Sequence, residues 1–170
     1  MDLLVTPLDS HRGRLHAFDA SFACALGRSG VRAGKQEGDG ATPAGIFDLR
    51  DIYFREDRLA LPPVALPAHP IATDDGWCDD PECGDYNRLV RHPHTGSAER
   101  LWREDGLYDI LVVLGHNDAP PVPGHGSAIF LHCASEDLGP TEGCVALPRD
   151  TLLELGQKLR PGDRIEIRTS

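Results

Sequence analysis

The stretch Phe130–Leu147, FLHCASEDLGPTEGCVAL, sets a histidine twelve residues ahead of a cysteine and parts them with a run of turn formers. The apolar residues of SAIFLHCA, 127–134, read as a buried strand carrying His132 near its end. ASEDLGPTEG, 134–143, can then fold the chain back and bring Cys144 towards His132. A thiol becomes an effective nucleophile when a neighbouring base takes its proton, and a histidine within hydrogen-bond reach is such a base. Gly143 lets a carbonyl approach the main chain, so the N–H groups of Gly143 and Cys144 are candidates for an oxyanion site, with Thr141 bracing the turn. Yet a cysteine after a glycine in a β-rich chain is ordinarily a small core residue, and spacing alone leaves both readings open.

Outward from this stretch the pattern stays mostly β. Leu107–Asn117, LYDILVVLGHN, is a continuous apolar run expected at the centre of a sheet. DLLVT (2–6), GRLHAF (13–18) and SFACALG (21–27) are short strands parted by turn residues, as in a meander. Residues 30–45, punctuated by glycine, are expected to form a surface loop, and IFDLRDIYFR (46–55) a further strand. PRDTLLELGQKLRPG (148–162) is the one clear helix, with a mostly one-sided apolar stripe at Leu152, Leu153, Leu155 and Leu159 and a Pro-Gly stop, and DRIEIR (163–168) alternates as a closing strand. Residues 1–170 therefore read as a single mainly β domain with one C-terminal helix before the last strand.

Residues 57–106 look like a long irregular insertion, proline-rich at 59–70 and acidic beyond, and a candidate wall for a substrate. Trp77, Tyr86, Asn87 and Arg88 suit contact with sugar or peptide carboxylates, or else anchor their own loop. Asp74, Asp75, Asp79, Asp80 and Glu82 read as a solvated charge run, or else as a lure for an acceptor amine, and His92 and His94 as surface residues. Cys78 and Cys83 are spaced for either a local disulfide or two thiols in a turn.

A formal net charge of −10, with no visible cluster of Lys and Arg, argues against a nucleic-acid partner. No window approaches a membrane span, and the first residues show no export leader. His116, His125, His132 and Cys133 match no common zinc spacing, and Cys133 alternates away from His132 towards the core. The glycines around Asp39 lack the lysine of a phosphate-binding loop.

LHCASEDLGPTEGCVAL resembles the signature of the L,D-transpeptidase catalytic domain (YkuD-like) family, in which a histidine precedes a Ser/Thr-x-Gly-Cys turn. DGATPAGIFDL, Asp39–Leu49, is similar to that family's Thr-Pro-x-Gly-x-Phe/Tyr segment. The resemblance implies a β-sandwich-like domain and acyl transfer without metal or cofactor. Cys144 would be the nucleophile, His132 its base and later acid, and the main chain at Gly143 and Cys144 the oxyanion site. The implied partners are the donor and acceptor stem peptides of peptidoglycan, met by a monomer in the periplasm. Thr141, Glu142, His116, Tyr86, Arg88 and Trp77 are the substrate-binding candidates.

The chain departs from the pattern at Glu142, where most members carry histidine, at Ala146, where they carry arginine, and at Cys133, where a small residue is usual. NDAPPVPGHG, 117–126, resembles a compact proline-rich proteobacterial subset associated with 1,3 crosslinks, with Pro120, Pro121 and Pro123 as an expected lid. A hydrolase on the same dyad (L,D-endopeptidase, carboxypeptidase or amidase) and a catalytically silent wall-binding module are the competing readings.

Overall fold

The computed structural model describes residues 2–170. In chain order the strands are β1 (Asp2–Pro7), β2 (Arg12–Ala17), β3 (Ala20–Ala25), β4 (Val31–Arg32), β5 (Thr42–Pro43), β6 (Gly45–Phe54) and β7 (Ala68–Pro70). They continue as β8 (Asp75–Cys78), β9 (Leu89–Arg91), β10 (Ala98–Arg100), β11 (Ile110–Leu114), β12 (Phe130–Cys133) and β13 (Val145–Leu147). The single helix α1 (Arg149–Lys158) follows, then β14 (Arg164–Ile167), so the domain is mainly β with its helix before the last strand.

The main sheet runs β11-β12-β13-β3-β2-β1-β14-β6-β7, and a further pairing of β6 with β11 closes it on itself. Ten residues long, β6 pairs β14 through its first half and β7 through its second, while its other edge takes β11. Side chains alternate along each strand, so one face fills the enclosed core and the other faces outward. Leu3, Val5, Leu15, Ile110, Val112, Leu131 and Val145 enter the core, which α1 caps with Leu152 and Leu155 and its C-terminal neighbour Leu159. Cys133 also lies there, on the face opposite His132.

The outward face of β11 and β12 is not left wet. Leu111, Val113 and Phe130 join Trp77, Leu101 and Tyr108 in a second cluster that contains Cys144. Trp77 meets Phe130 edge to face at 5.2 Å. The partner in this packing is the 57–106 segment, and here the expectation of irregular structure is corrected: it carries the three-stranded antiparallel sheet β10-β8-β9. Strands of three or four residues are too short for a period-two signal to show in sequence.

Asn87 locks this small sheet to the large one. Its Oδ1 accepts from Trp77 Nε1 and the Ala128 N–H, at 2.9 and 3.1 Å, and its Nδ2 donates to the carbonyls of His116 and Asn117, at 3.0 and 2.8 Å. The acidic run is not uniformly solvated, since Asp75 is buried and accepts from the Ala72 N–H. The 30–45 loop is likewise only partly at the surface: Lys35, Ala41 and Thr42 are buried, and Thr42 Oγ1 accepts the Gly27 N–H at 2.8 Å. No helix among the described residues is long and apolar enough to cross a membrane.

Candidate active site

Strands β12 and β13 are parallel, with Leu131 level with Val145 and His132 with Ala146. Continuing that register by one residue sets Cys144 level with Phe130. Side-chain parity then places Phe130, His132, Cys144 and Ala146 on the outward face, Cys144 and His132 two residues of register apart. His132, Cys144 and Ala146 line one cavity of about 480 Å³, together with Tyr108, Glu99 and Arg103 from and beside the inserted segment.

The turn before Cys144 is tied down from several sides. Thr141 Oγ1 donates to the Cys144 carbonyl at 2.7 Å and accepts the Gly143 N–H at 3.1 Å. The Arg28 N–H donates to the Thr141 carbonyl and the Thr141 N–H to that of Leu26. Gly143 sits at φ +147°, and a Cβ there would stand 2.9 Å from the Ala41 carbonyl oxygen. A side chain at 143 thus meets both a disfavoured backbone region and main chain that cannot give way. Ala41 belongs to the DGATPAG stretch, so the two distant motifs abut at this contact. Because the Gly143 N–H is already spent on Thr141, the Cys144 N–H is the donor of the pair without a protein acceptor among the described residues.

Cys144 Sγ donates to the Ala128 carbonyl at 3.2 Å and accepts the Phe130 N–H at 3.4 Å. Burial, and after it the nearby Glu99 carboxylate, push its thiol up to about 12, against the pull of the Phe130 N–H and the charges of Lys35 and Arg103. His132 moves the other way: burial brings its imidazole down to about 4. Its Nδ1 lies 2.8 Å from the Cys133 carbonyl oxygen, and an N–H donated there leaves Nε2 with a free lone pair. Tyr108 packs edge-on against the His132 ring at 5.2 Å and donates its hydroxyl to Glu99. At neutral pH the pair is therefore an uncharged thiol and an uncharged imidazole.

Around them the cavity carries both signs of charge. Glu37 and Asp79 supply carboxylates, Glu99 a carboxyl that burial pushes up against the hydrogen bond from Tyr108 and the charge of Arg103, and Lys35 and Arg103 supply cations. Lys35 is held by Asp39 at 2.5 Å and by the Gln36 carbonyl at 3.2 Å. One oxygen of Asp79 is buried without a protein partner. Asp79 belongs to the acidic run and Asp39 to the DGATPAG stretch, whereas Lys35, Glu37, Glu99 and Arg103 have no signal of their own in the sequence.

The other sequence-derived candidates are placed differently. Thr141, Glu142 and Gly143 line the cavity, Glu142 as an exposed residue paired with Arg28 at 3.1 Å. Tyr86 is buried off the cavity, its hydroxyl bridging Glu37 and the Gly126 N–H at 2.9 and 3.0 Å. His116 packs on Phe47 with Nε2 3.1 Å from the His125 carbonyl. Trp77 and Arg88 line a separate depression of about 300 Å³ beside Arg50 and Tyr53. Pro120, Pro121 and Pro123 do not border the 480 Å³ cavity.

The charges make a prediction. Glu99→Gln keeps an acceptor for Tyr108 but removes the carboxylate that opposes a thiolate at Cys144. Alkylation of Cys144 by iodoacetamide at about pH 8, mapped by peptide mass, should accelerate by roughly three- to fourfold for each unit its pKa falls, the tenfold gain in thiolate being partly offset by its lower nucleophilicity. An unchanged rate would remove Glu99 from control of the thiol.

A family model, the YkuD L,D-transpeptidase catalytic domain, matches residues 12–167. No curated protein and no solved structure matches the chain.

Proposed function

The chain belongs to the L,D-transpeptidase catalytic-domain family, whose members act on peptidoglycan, and on that premise we propose that it joins stem peptides by acyl transfer through Cys144, forming 1,3 crosslinks in the periplasm. The observation that carries this reading is the shared cavity of Cys144 and His132, with the thiol and imidazole both uncharged at neutral pH. A thiol near 12 beside an imidazole near 4 does not rest as an ion pair. Proton transfer must accompany attack on the carbonyl.

Cys144 Sγ bonds to the carbonyl carbon of the donor's L-residue while its proton passes to Nε2 of His132. The negative charge gathered on the carbonyl oxygen meets the Cys144 N–H, with the Lys35 ammonium 3.5 Å from where a Cβ on Gly143 would stand. As the tetrahedral intermediate collapses, the C–N bond breaks and His132 returns the proton to the departing amine, leaving a thioester. The side-chain amine of a diaminopimelate then attacks and gives a proton to His132, and as the C–S bond breaks His132 passes that proton to the departing Cys144 sulfur, restoring the neutral thiol and imidazole. Glu37, Asp79 and Glu99 suit an arriving ammonium, while Lys35 and Arg103 suit the carboxylates of a stem.

The 1,3 linkage, from L-Ala to diaminopimelate, rests on Ala146, level with His132 where most members carry arginine. Without that cation a donor ending in diaminopimelate loses a carboxylate partner. Incubation with isolated stem-bearing disaccharides, followed by muropeptide mass spectrometry, should yield dimers joined through L-Ala. Dimers joined through two diaminopimelates would overturn the linkage, and shortened monomers alone would make the protein a hydrolase.

A further inference from the structure

Away from the cavity, on the far side of the inserted sheet, Cys78, Cys83 and His94 converge so that their ligand atoms all lie within 4.8 Å of one another. Cys78 ends β8, Cys83 lies in the turn that follows, and His94 lies between β9 and β10. Cys83 Sγ stands 3.8 Å from His94 Nε2, and the same nitrogen stands 3.4 Å from Asp85 Oδ2. In a tetrahedral zinc site, bonds of about 2.3 Å to sulfur and about 2.0 to 2.1 Å to nitrogen or oxygen put neighbouring ligand atoms roughly 3.3 to 3.8 Å apart. Both separations fall in or at the edge of that span.

The supporting residues suit a metal as well. His94 Nδ1 lies 3.2 Å from both the carbonyl oxygen and the N–H of Gly96, so the Gly96 main chain fixes the ring with Nε2 turned towards the Cys83 sulfur. Gly96 permits the close turn, since a Cβ there would stand 2.8 Å from Asp80 Oδ2 and 3.2 Å from the Cys83 Cβ. Four residues separate Cys78 from Cys83, within the usual spacing of a zinc-binding cysteine pair. His94 is largely buried, at 11% side-chain exposure, which corrects its reading as a surface residue.

We infer that Cys78, Cys83 and His94 bind a structural zinc ion that clamps the inserted sheet, the fourth position being open to solvent. The ion takes no part in acyl transfer. Its effect reaches the cavity through neighbours: Trp77, which packs on Phe130, and Asp79, which lines the cavity, flank Cys78, and Glu99 pairs with Trp77 across β8 and β10.

The test is zinc content by mass spectrometry of the protein purified and dialysed in metal-free buffer, with cobalt(II) added to stripped protein as an optical probe. About one zinc per chain is expected, along with a thiolate-to-cobalt charge-transfer band. Cys83→Ser and His94→Ala should lose the zinc and weaken the band, while Cys133→Ser keeps both. Cobalt binding to wild type is read directly, so the inference stays testable even if a variant fails to fold. Absence of both zinc and band, or an intact mass lighter by two hydrogens from a Cys78–Cys83 disulfide, would overturn it. Neither result bears on Cys144.

Discussion

Cys144→Ala should abolish the proposed acyl transfer, lowering turnover by on the order of 10⁴-fold or more, because no other group in the cavity replaces the attacking sulfur. Cys24 and Cys133 point into the enclosed core, and Cys78 and Cys83 sit in the inserted sheet. Folding should survive the change. The sulfur's contacts to Ala128 and Phe130 are two weak hydrogen bonds beside a cavity, so the loss of stability is expected at about 1 kcal/mol. A thermal melt close to wild type alongside null activity identifies a chemical loss. Residual turnover above about one per cent of wild type would place the nucleophile elsewhere.

The second large effect is at His132. His132→Ala should slow acylation by about 10²- to 10⁴-fold, the range spanned by general acid–base catalysis. The pH profile separates this role from a structural one. Since burial holds the folded imidazole near 4, the base remains free well below the ordinary histidine range, and activity should fall only as pH drops through about 4. The stability linkage has the same direction. Between the unfolded value of about 6.5 and the folded value near 4, the unfolded chain binds a proton that the folded one refuses, so stability declines as pH falls across that window. His132→Ala should flatten that part of the stability curve, and an acid limb of activity near 6.5 would contradict the burial argument.

Much of the fold is legible in local sequence where elements are long or strongly patterned. Alternation marks β1 to β3 and β14, an unbroken apolar run marks β11, and leucine spacing marks α1. What escapes is either short or set by distant contacts. β13 has three residues, and nothing in them announces that it runs parallel to β12 and so brings Cys144 beside Phe130. Parity along the chain does foretell that Cys133 turns away from His132. Lys35 and the local group Glu99, Arg103 and Tyr108 come from segments far from each other and from the 132–146 stretch, and they meet it only in the folded cavity. Trp77 and Tyr86 fit equally well as ligand contacts or loop anchors when read as sequence, and what the sequence does not reveal is their hydrogen bonds to Asn87, Glu37 and Gly126.

The most direct measurement of the central claim is the intact mass of the protein after mixing with a donor muropeptide and rapid acid quenching, without an acceptor. A thioester on Cys144 predicts added mass equal to the donor less its departing amine, carried by the peptide containing Gly143 and Cys144 and absent from Cys144→Ala. Product formation with no such adduct, or an adduct that persists in Cys144→Ala, would contradict it.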